Sequence, residues 1–298
     1  MILDNKIIYV NGDSFTEGCD TANHMFPFPV EYFSLNDVND NVNNEHVISA
    51  QHKFIEIREN LINEDKAFND NILRIEKELR WSTTLGKILN RDVINMSSMG
   101  GSSMFAIAFR SIADINELIK RGYKVTDAII QITSDSRFSI FQDVGKEKEP
   151  SPSRFGQRYY KLNSGNIFHS DIKLKNLISS FFEAELAEFN NYRWFHELYM
   201  LTHTLQSISP GIRVIFVDSI FYKNTIYGKA GSFDDVIDFE VPEFNHILDF
   251  KKEFDDKLEL CMLDQIGHDE KLITAGLHFA SEVHDRFAKA IAERYFNE

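Results

Sequence analysis

A near-continuous apolar run, Ile7-Ile8-Tyr9-Val10, stops abruptly at Asn11-Gly12-Asp13-Ser14. Such a run followed by a glycine predicts a strand buried on both faces and a tight turn, with Gly12 allowing close backbone approach. Ser14 then falls where the strand hands over to a helix. Similar runs recur at Val93–Met96, Ala128–Ile132, Ile212–Val217 and Leu258–Leu263. Between them the apolar spacing turns helical. Phe54, Ile57, Leu61, Phe68, Ile72, Ile75 and Leu79 mark a helical stretch from about 51 to 79, and a further helix follows from Trp81 to Leu89. Phe105, Phe109, Ile112, Ile115 and Ile119 predict one side of a helix ending near Arg121. A long helix is expected from about Leu177 to Ser207, and a last one buries Val283, Phe287, Ile291 and Tyr295 at a four-residue step. Strands alternating with helices predict an α/β protein whose mostly parallel sheet has five strands.

The chain reads as a single domain over 1–298, with insertions at about 20–80, 143–170 and 222–250. Of its 298 residues 43% are hydrophobic, enough for a sizeable core, and there is no low-complexity tract. The formal net charge of −14 offers no basic footprint for nucleic acid and would be repelled by an anionic membrane surface. No apolar run is long enough to span a membrane, and the N-terminus lacks the pattern of a secretory signal. Synthesis as a soluble cytoplasmic protein is expected. Cys19 and Cys261 supply neither a disulfide framework nor a zinc site. No phosphate loop or dinucleotide fingerprint is present, so neither a cofactor nor a metal is expected. His196 and His203 share a helix face without a third ligand and read as packing or surface residues, and Asp234-Asp235 reads as a solvated face.

In an open parallel sheet, reactive groups gather at the carboxyl ends of the strands. Four such places are informative: Gly12-Asp13-Ser14, the run from Asn95 to Gly100, Thr133-Ser134-Asp135-Ser136-Arg137, and the segment from Gly276 to His284 before the last helix. A helix start presents free amides to an anion, so a serine there can be a nucleophile with part of an oxyanion hole beside it. The plainer alternative is that Asp13 or Ser14 caps the helix.

In that order, the four blocks resemble the SGNH, or GDSL-type, hydrolase family. The resemblance covers most of the chain as ordered blocks. It implies a three-layer, flavodoxin-like sandwich, with Ser14 as nucleophile and His278 as general base. The amides of Ser14 and Gly100, with Ser134, would form the oxyanion hole. Asp13 is a candidate for the substrate pocket, and Arg137 could add positive charge near it or simply pair with a carboxylate. His284 is the second histidine of the same segment. Family resemblance also implies a small acyl ester as substrate, such as an O-acetyl group on a glycan. The Thr-Ser-x-x-Arg form is similar to stand-alone members in phage and surface-polysaccharide contexts, which adds a virion component to the settings open.

Two positions depart from the family pattern. Ala275 stands where the family has the acid of its triad, and Ser134 where it has an asparagine. Asp264, Asp269 or Asp285 could fold back to supply the missing carboxylate. The departures leave open a catalytically impaired module for glycan binding or assembly, and the same residues would also serve acyl transfer. Phe26, Phe28, Tyr159 and Tyr160 could shape a sugar cleft or pack structurally. The sequence does not specify an oligomeric state.

Overall fold

The computed structural model describes residues 6–39, 45–97, 103–133, 138–142, 158–162, 187–219, 245–258 and 260–297. Four parallel strands form the central sheet: β1 (Lys6–Asn11), β3 (Asp92–Asn95), β4 (Lys124–Gln131) and β7 (Arg213–Val217), in the order β3-β1-β4-β7. Strand β1 is central, and Ile7, Ile8, Tyr9 and Val10 are all but fully buried. Because side chains alternate along a strand, the run feeds two cores at once. Ile8 and Val10 join one with Ile129, Ile215, Trp81, Leu85 and Phe287. Ile7 and Tyr9 join the other with Ala128, Ile130, Ile107, Ile115 and Leu198. The result is a three-layer α/β sandwich.

One layer contains α5 (Trp81–Leu89) and α9 (Ser281–Tyr295), which pack on each other, joined by α3 (Glu45–Glu64) and α4 (Lys66–Leu79). The other contains α6 (Met104–Lys120), α7 (Ala187–Ile208) and α8 (Asn245–Lys257). No helix among the described residues is long and apolar enough to cross a membrane.

The structure corrects the sequence reading in four places. Among the described residues the expected fifth strand is seen only as one parallel bridge between Asp218 and Cys261, with Asp218 N–H donating to the Leu260 carbonyl at 2.9 Å. Helix α8 ends at Lys257 and a 3-10 turn starts at Leu263, so little chain is left for a strand. The helical stretch 51–79 is two helices, broken at Asp65, whose carboxylate caps α4 by accepting from Phe68 N–H at 3.0 Å. On α6 the buried face runs through Met104, Ile107, Ser111, Ile115 and Leu118, while Phe105 and Phe109 stack on each other on the exposed side. The stretch from 143 to 170, expected to be irregular, contains β6 (Arg158–Leu162), which pairs antiparallel with β5 (Phe138–Gln142).

One small element was not foreseen. Strand β2 (Tyr32–Phe33) pairs antiparallel with β8 (Ile273–Thr274). This ribbon ties the segment before the last helix to the early part of the chain. Between β2 and α3 lies the short α2 (Leu35–Asn39).

Candidate active site

The first strand ends as its sequence dictates. A Cβ on Gly12 would lie 2.0 Å from Thr16 Oγ1 and 2.9 Å from Gln131 Cβ, so only glycine fits. Helix α1 (Ser14–Glu17) follows at once. Asp13 is its cap: Oδ1 accepts from Phe15 N–H at 3.1 Å, and Oδ2 accepts from Thr133 Oγ1 at 3.3 Å. Asp13 is fully buried and spans two strand ends, so its position is that of a brace rather than a pocket wall. Ser14 is the first residue of α1 and 6% exposed. Among the described residues, its hydroxyl and its amide have no hydrogen-bond partner.

The second block is braced in the same way. Asn95 ends β3, and its Nδ2 donates to the Thr16 carbonyl at 2.9 Å and to Ser82 Oγ at 2.7 Å. Its Oδ1 accepts from Ser97 N–H at 2.9 Å. Asn95 therefore fastens the second strand end to the helix that begins at Ser14. Gly100, Ser134 and Arg137 lie outside the described residues.

His278 sits in a turn closed by Thr274 N–H donating to the His278 carbonyl at 2.8 Å and by His278 N–H donating to Thr274 Oγ1 at 3.2 Å. Because Thr274 belongs to β8, the β2–β8 ribbon holds this turn in place. The His278 ring packs against Phe15, with centroids 5.1 Å apart, so the neighbour of Ser14 touches the imidazole. No hydrogen bond joins Ser14 to His278 directly, an arrangement often seen where catalytic bonds tighten only with substrate in place.

Nδ1 of His278 lies 3.0 Å from Oδ2 of Asp20. The imidazole thus has a carboxylate partner although Ala275 stands where the family has its acid. Ala275 is buried, its N–H donating to the Glu31 carbonyl at 3.0 Å. The other suggested carboxylates are engaged elsewhere or sit apart. Asp269 accepts from Asn36 Nδ2 at 2.8 Å, Asp285 accepts from Thr84 Oγ1 at 2.9 Å, and Asp264 lies in the 3-10 turn. The carboxylate beside the imidazole is instead that of Asp20, six residues after Ser14. Gly276 makes this possible, since a Cβ there would meet Asp20 Oδ2 at 1.9 Å.

Asp20 is almost completely buried and well supplied with partners. Oδ2 also accepts from Thr274 Oγ1 at 3.2 Å, and Oδ1 is bonded to Arg58 Nη1. Its backbone N–H donates to Glu76 Oε1 at 2.9 Å, and Arg58 Nη2 reaches the same oxygen at 3.1 Å. Burial alone would raise the Asp20 carboxyl. The charge and hydrogen bond of His278, then Arg58 and Thr274, outweigh it and hold the group below its ordinary value. For Glu76 burial wins, lifting it to about 7 against the pull of Arg58. Asp20 thus remains an anion with two oxygens in different jobs, one on a guanidinium and one on an imidazole. With its proton on Nδ1 facing Asp20, His278 presents a basic lone pair at Nε2.

His284 has a different role. It is fully buried in the core, and its Nδ1 accepts from Trp81 N–H at 3.2 Å. Burial, then the charge of His278, depress it to about 3, so it is a neutral packing residue. Phe26 packs on Phe28, Phe54 and Phe68 at 5.3–5.9 Å, which makes these rings core rather than cleft. Tyr159 and Tyr160 lie on β6. On α7, His203 packs on Tyr199 at 4.2 Å, and no cluster suited to a metal ion occurs among the described residues.

Ala275→Asp gives an immediate check. With Asp20 already on Nδ1, a second carboxylate would enter a buried position next in sequence to Gly276, which abuts Asp20, and a buried charge without a partner distorts its surroundings. The rate on an acetyl ester is expected to fall at least about tenfold, since a misplacement near 1 Å costs that and more. A higher rate across pH 5–9 would mean that Asp20 does not serve His278.

The fold and site together define an α/β sandwich with a serine at the first strand end and a buried carboxylate on a part-buried imidazole that packs against the serine's neighbour Phe15. No family model matches the sequence, and no curated protein matches it. Solved structures similar to the chain include a lipolytic protein of the G-D-S-L family from Desulfitobacterium hafniense, 10% identical over 97% of this chain and 98% of that one, at a TM-score of 0.40. They also include a carbohydrate esterase family 2 enzyme with a carbohydrate-binding domain from Corynascus thermopiles (Myceliophthora fergusii), 9% identical over 97% of this chain and 66% of that one, at 0.47. A third is an acetyl xylan esterase from the rumen bacterium Butyrivibrio proteoclasticus, 12% identical over 97% of this chain and 63% of that one, at 0.39.

Proposed function

We propose that the chain is a serine esterase of the SGNH type, hydrolysing a small acyl ester, with O-acetyl groups on a glycan as the substrate class. The observation that carries the reading is the bond from His278 Nδ1 to Asp20, the carboxylate that the motif comparison lacked. It answers one of the two motives for a non-catalytic module, alanine at position 275; the other, Ser134, lies outside the described residues. In the proposed reaction Ser14 Oγ attacks the ester carbonyl while His278 Nε2 takes its proton. Asp20 keeps the imidazole in the right tautomer and stabilises the imidazolium without itself taking the proton. The tetrahedral oxyanion is held by the Ser14 amide and, by family resemblance, by Gly100 and Ser134. His278 returns the proton to the leaving alcohol. Water then attacks the acyl-enzyme with His278 again as base, releasing the carboxylic acid and restoring Ser14.

The direct test is covalent labelling. Incubated with a fluorophosphonate, the full chain is expected to gain one phosphonyl group on the peptide containing Ser14 and to lose p-nitrophenyl acetate hydrolysis in step. No adduct on Ser14, together with no turnover of acetyl esters, would overturn the reading.

A further inference from the structure

We propose that Arg58 and Glu76, on the two helices inserted after the first block, are positioning residues that clamp Asp20 in the orientation His278 needs; this rests on the esterase reading above. Asp20 has a positive φ of 66°, a conformation that a residue with a side chain seldom adopts. Such a backbone persists only where its surroundings fix it. Glu76 on α4 accepts the Asp20 N–H at 2.9 Å, which holds the main chain. Arg58 on α3 takes Oδ1, which holds the carboxylate plane, and its other nitrogen reaches Glu76 at 3.1 Å. The side chains of Asp20 and Glu76 are 0% and 5% exposed, and that of Arg58 20%. Two buried carboxylates this close repel unless a cation lies between them, and a planar guanidinium can serve both through separate nitrogens. Because Oδ1 is committed to Arg58, Oδ2 stays free to face His278 Nδ1 and Thr274. Without Arg58 the carboxylate could rotate, or share a proton with Glu76, and in either case the imidazole would lose its orienting partner.

A purely structural Arg58 would affect folding and leave the imidazole of the folded protein alone. The test therefore reads the imidazole as well as the rate. Wild type, R58M and R58K, each as the full chain, are compared on p-nitrophenyl acetate below their melting temperatures. In parallel, the downfield Nδ1 proton of His278 is followed in histidine-15N protein, with H278A for assignment. R58M is expected to lose between about 10- and 100-fold in kcat at unchanged KM, as loss of an orienting group does elsewhere. Its Nδ1 proton should broaden or move upfield. R58K should fall between R58M and wild type, because one ammonium can meet Asp20 or Glu76 but lacks the fork that serves both. If R58M does not fold, R58K carries the comparison. A kcat within twofold of wild type and an unmoved Nδ1 proton in either folded variant would overturn the proposal. If wild type turns over no ester yet its Nδ1 proton depends on Arg58, the clamp stands and the esterase reading falls.

Discussion

Ser14→Ala is expected to leave no acetyl-ester hydrolysis above background, a loss on the order of 10⁵- to 10⁶-fold, as when a nucleophile is removed from a group that acts as a unit. The fold should hardly register the change. The helix cap that a serine at this place might have provided is made by Asp13, through Phe15 N–H. The Ser14 hydroxyl makes no hydrogen bond to a described residue, so its removal breaks none. The melting temperature should stay within about 2 °C of wild type, the range of substitutions that open no cavity and orphan no polar group. Kinetics on purified protein and a thermal scan together decide the matter. Undiminished turnover would exclude Ser14 as nucleophile, and a large loss of stability would assign it a structural part.

Asp20→Asn should be less damaging to the rate than Ser14→Ala and far more so to the fold. An amide facing Nδ1 favours the wrong tautomer, which takes the lone pair from Nε2, and loss of this kind costs about 10³- to 10⁴-fold in kcat. KM should change little, since Asp20 is buried behind the imidazole. The substitution also strips Arg58 of one of its two anions, so the melting temperature should drop by several degrees. A linked effect of pH follows in the wild type. Asp20 is held below its ordinary value, so the folded state favours its ionised form. That contribution is complete above the unfolded carboxylate pKa of about 3.9 and disappears as pH falls through the lower folded value. Acid unfolding of wild type and Asp20→Asn should therefore converge at low pH. Equal kcat in the two proteins would remove Asp20 from the reaction.

The strands were legible because each contains a short apolar run, buried on both faces in β1 and β4 and partly buried in β3 and β7, and four of the five expected positions carry one. The fifth failed because Leu258–Leu263 has strand-like composition but is confined between α8 and a 3-10 turn. Helix phase misled on α6, where an i, i+4 pair of phenylalanines mimics a buried stripe and instead stacks on the exposed side. Ser14 and His278 were legible as motifs, whereas Asp20 was not, because a carboxylate supplied across 258 positions leaves no local pattern. Arg58 and Glu76 did leave a trace. Each lies four residues after a buried apolar residue of its helix, Phe54 and Ile72, on the face turned to the core. A charge in that stripe must find a partner or remain uncompensated.

The distance along the chain between Asp20 and His278 has a consequence for biosynthesis. Alcohol, carboxylate and guanidinium all emerge from the ribosome within the first 58 residues, and the imidazole follows 258 positions after the aspartate. At ordinary elongation rates the interval is on the order of ten seconds to a minute. Throughout it the nascent chain carries an acid destined for burial, and Arg58 is already present to neutralise it. The carboxylate is thus electrically prepared early, and it meets its imidazole only when the last helix docks and brings the preceding turn, with Gly276, against Asp20.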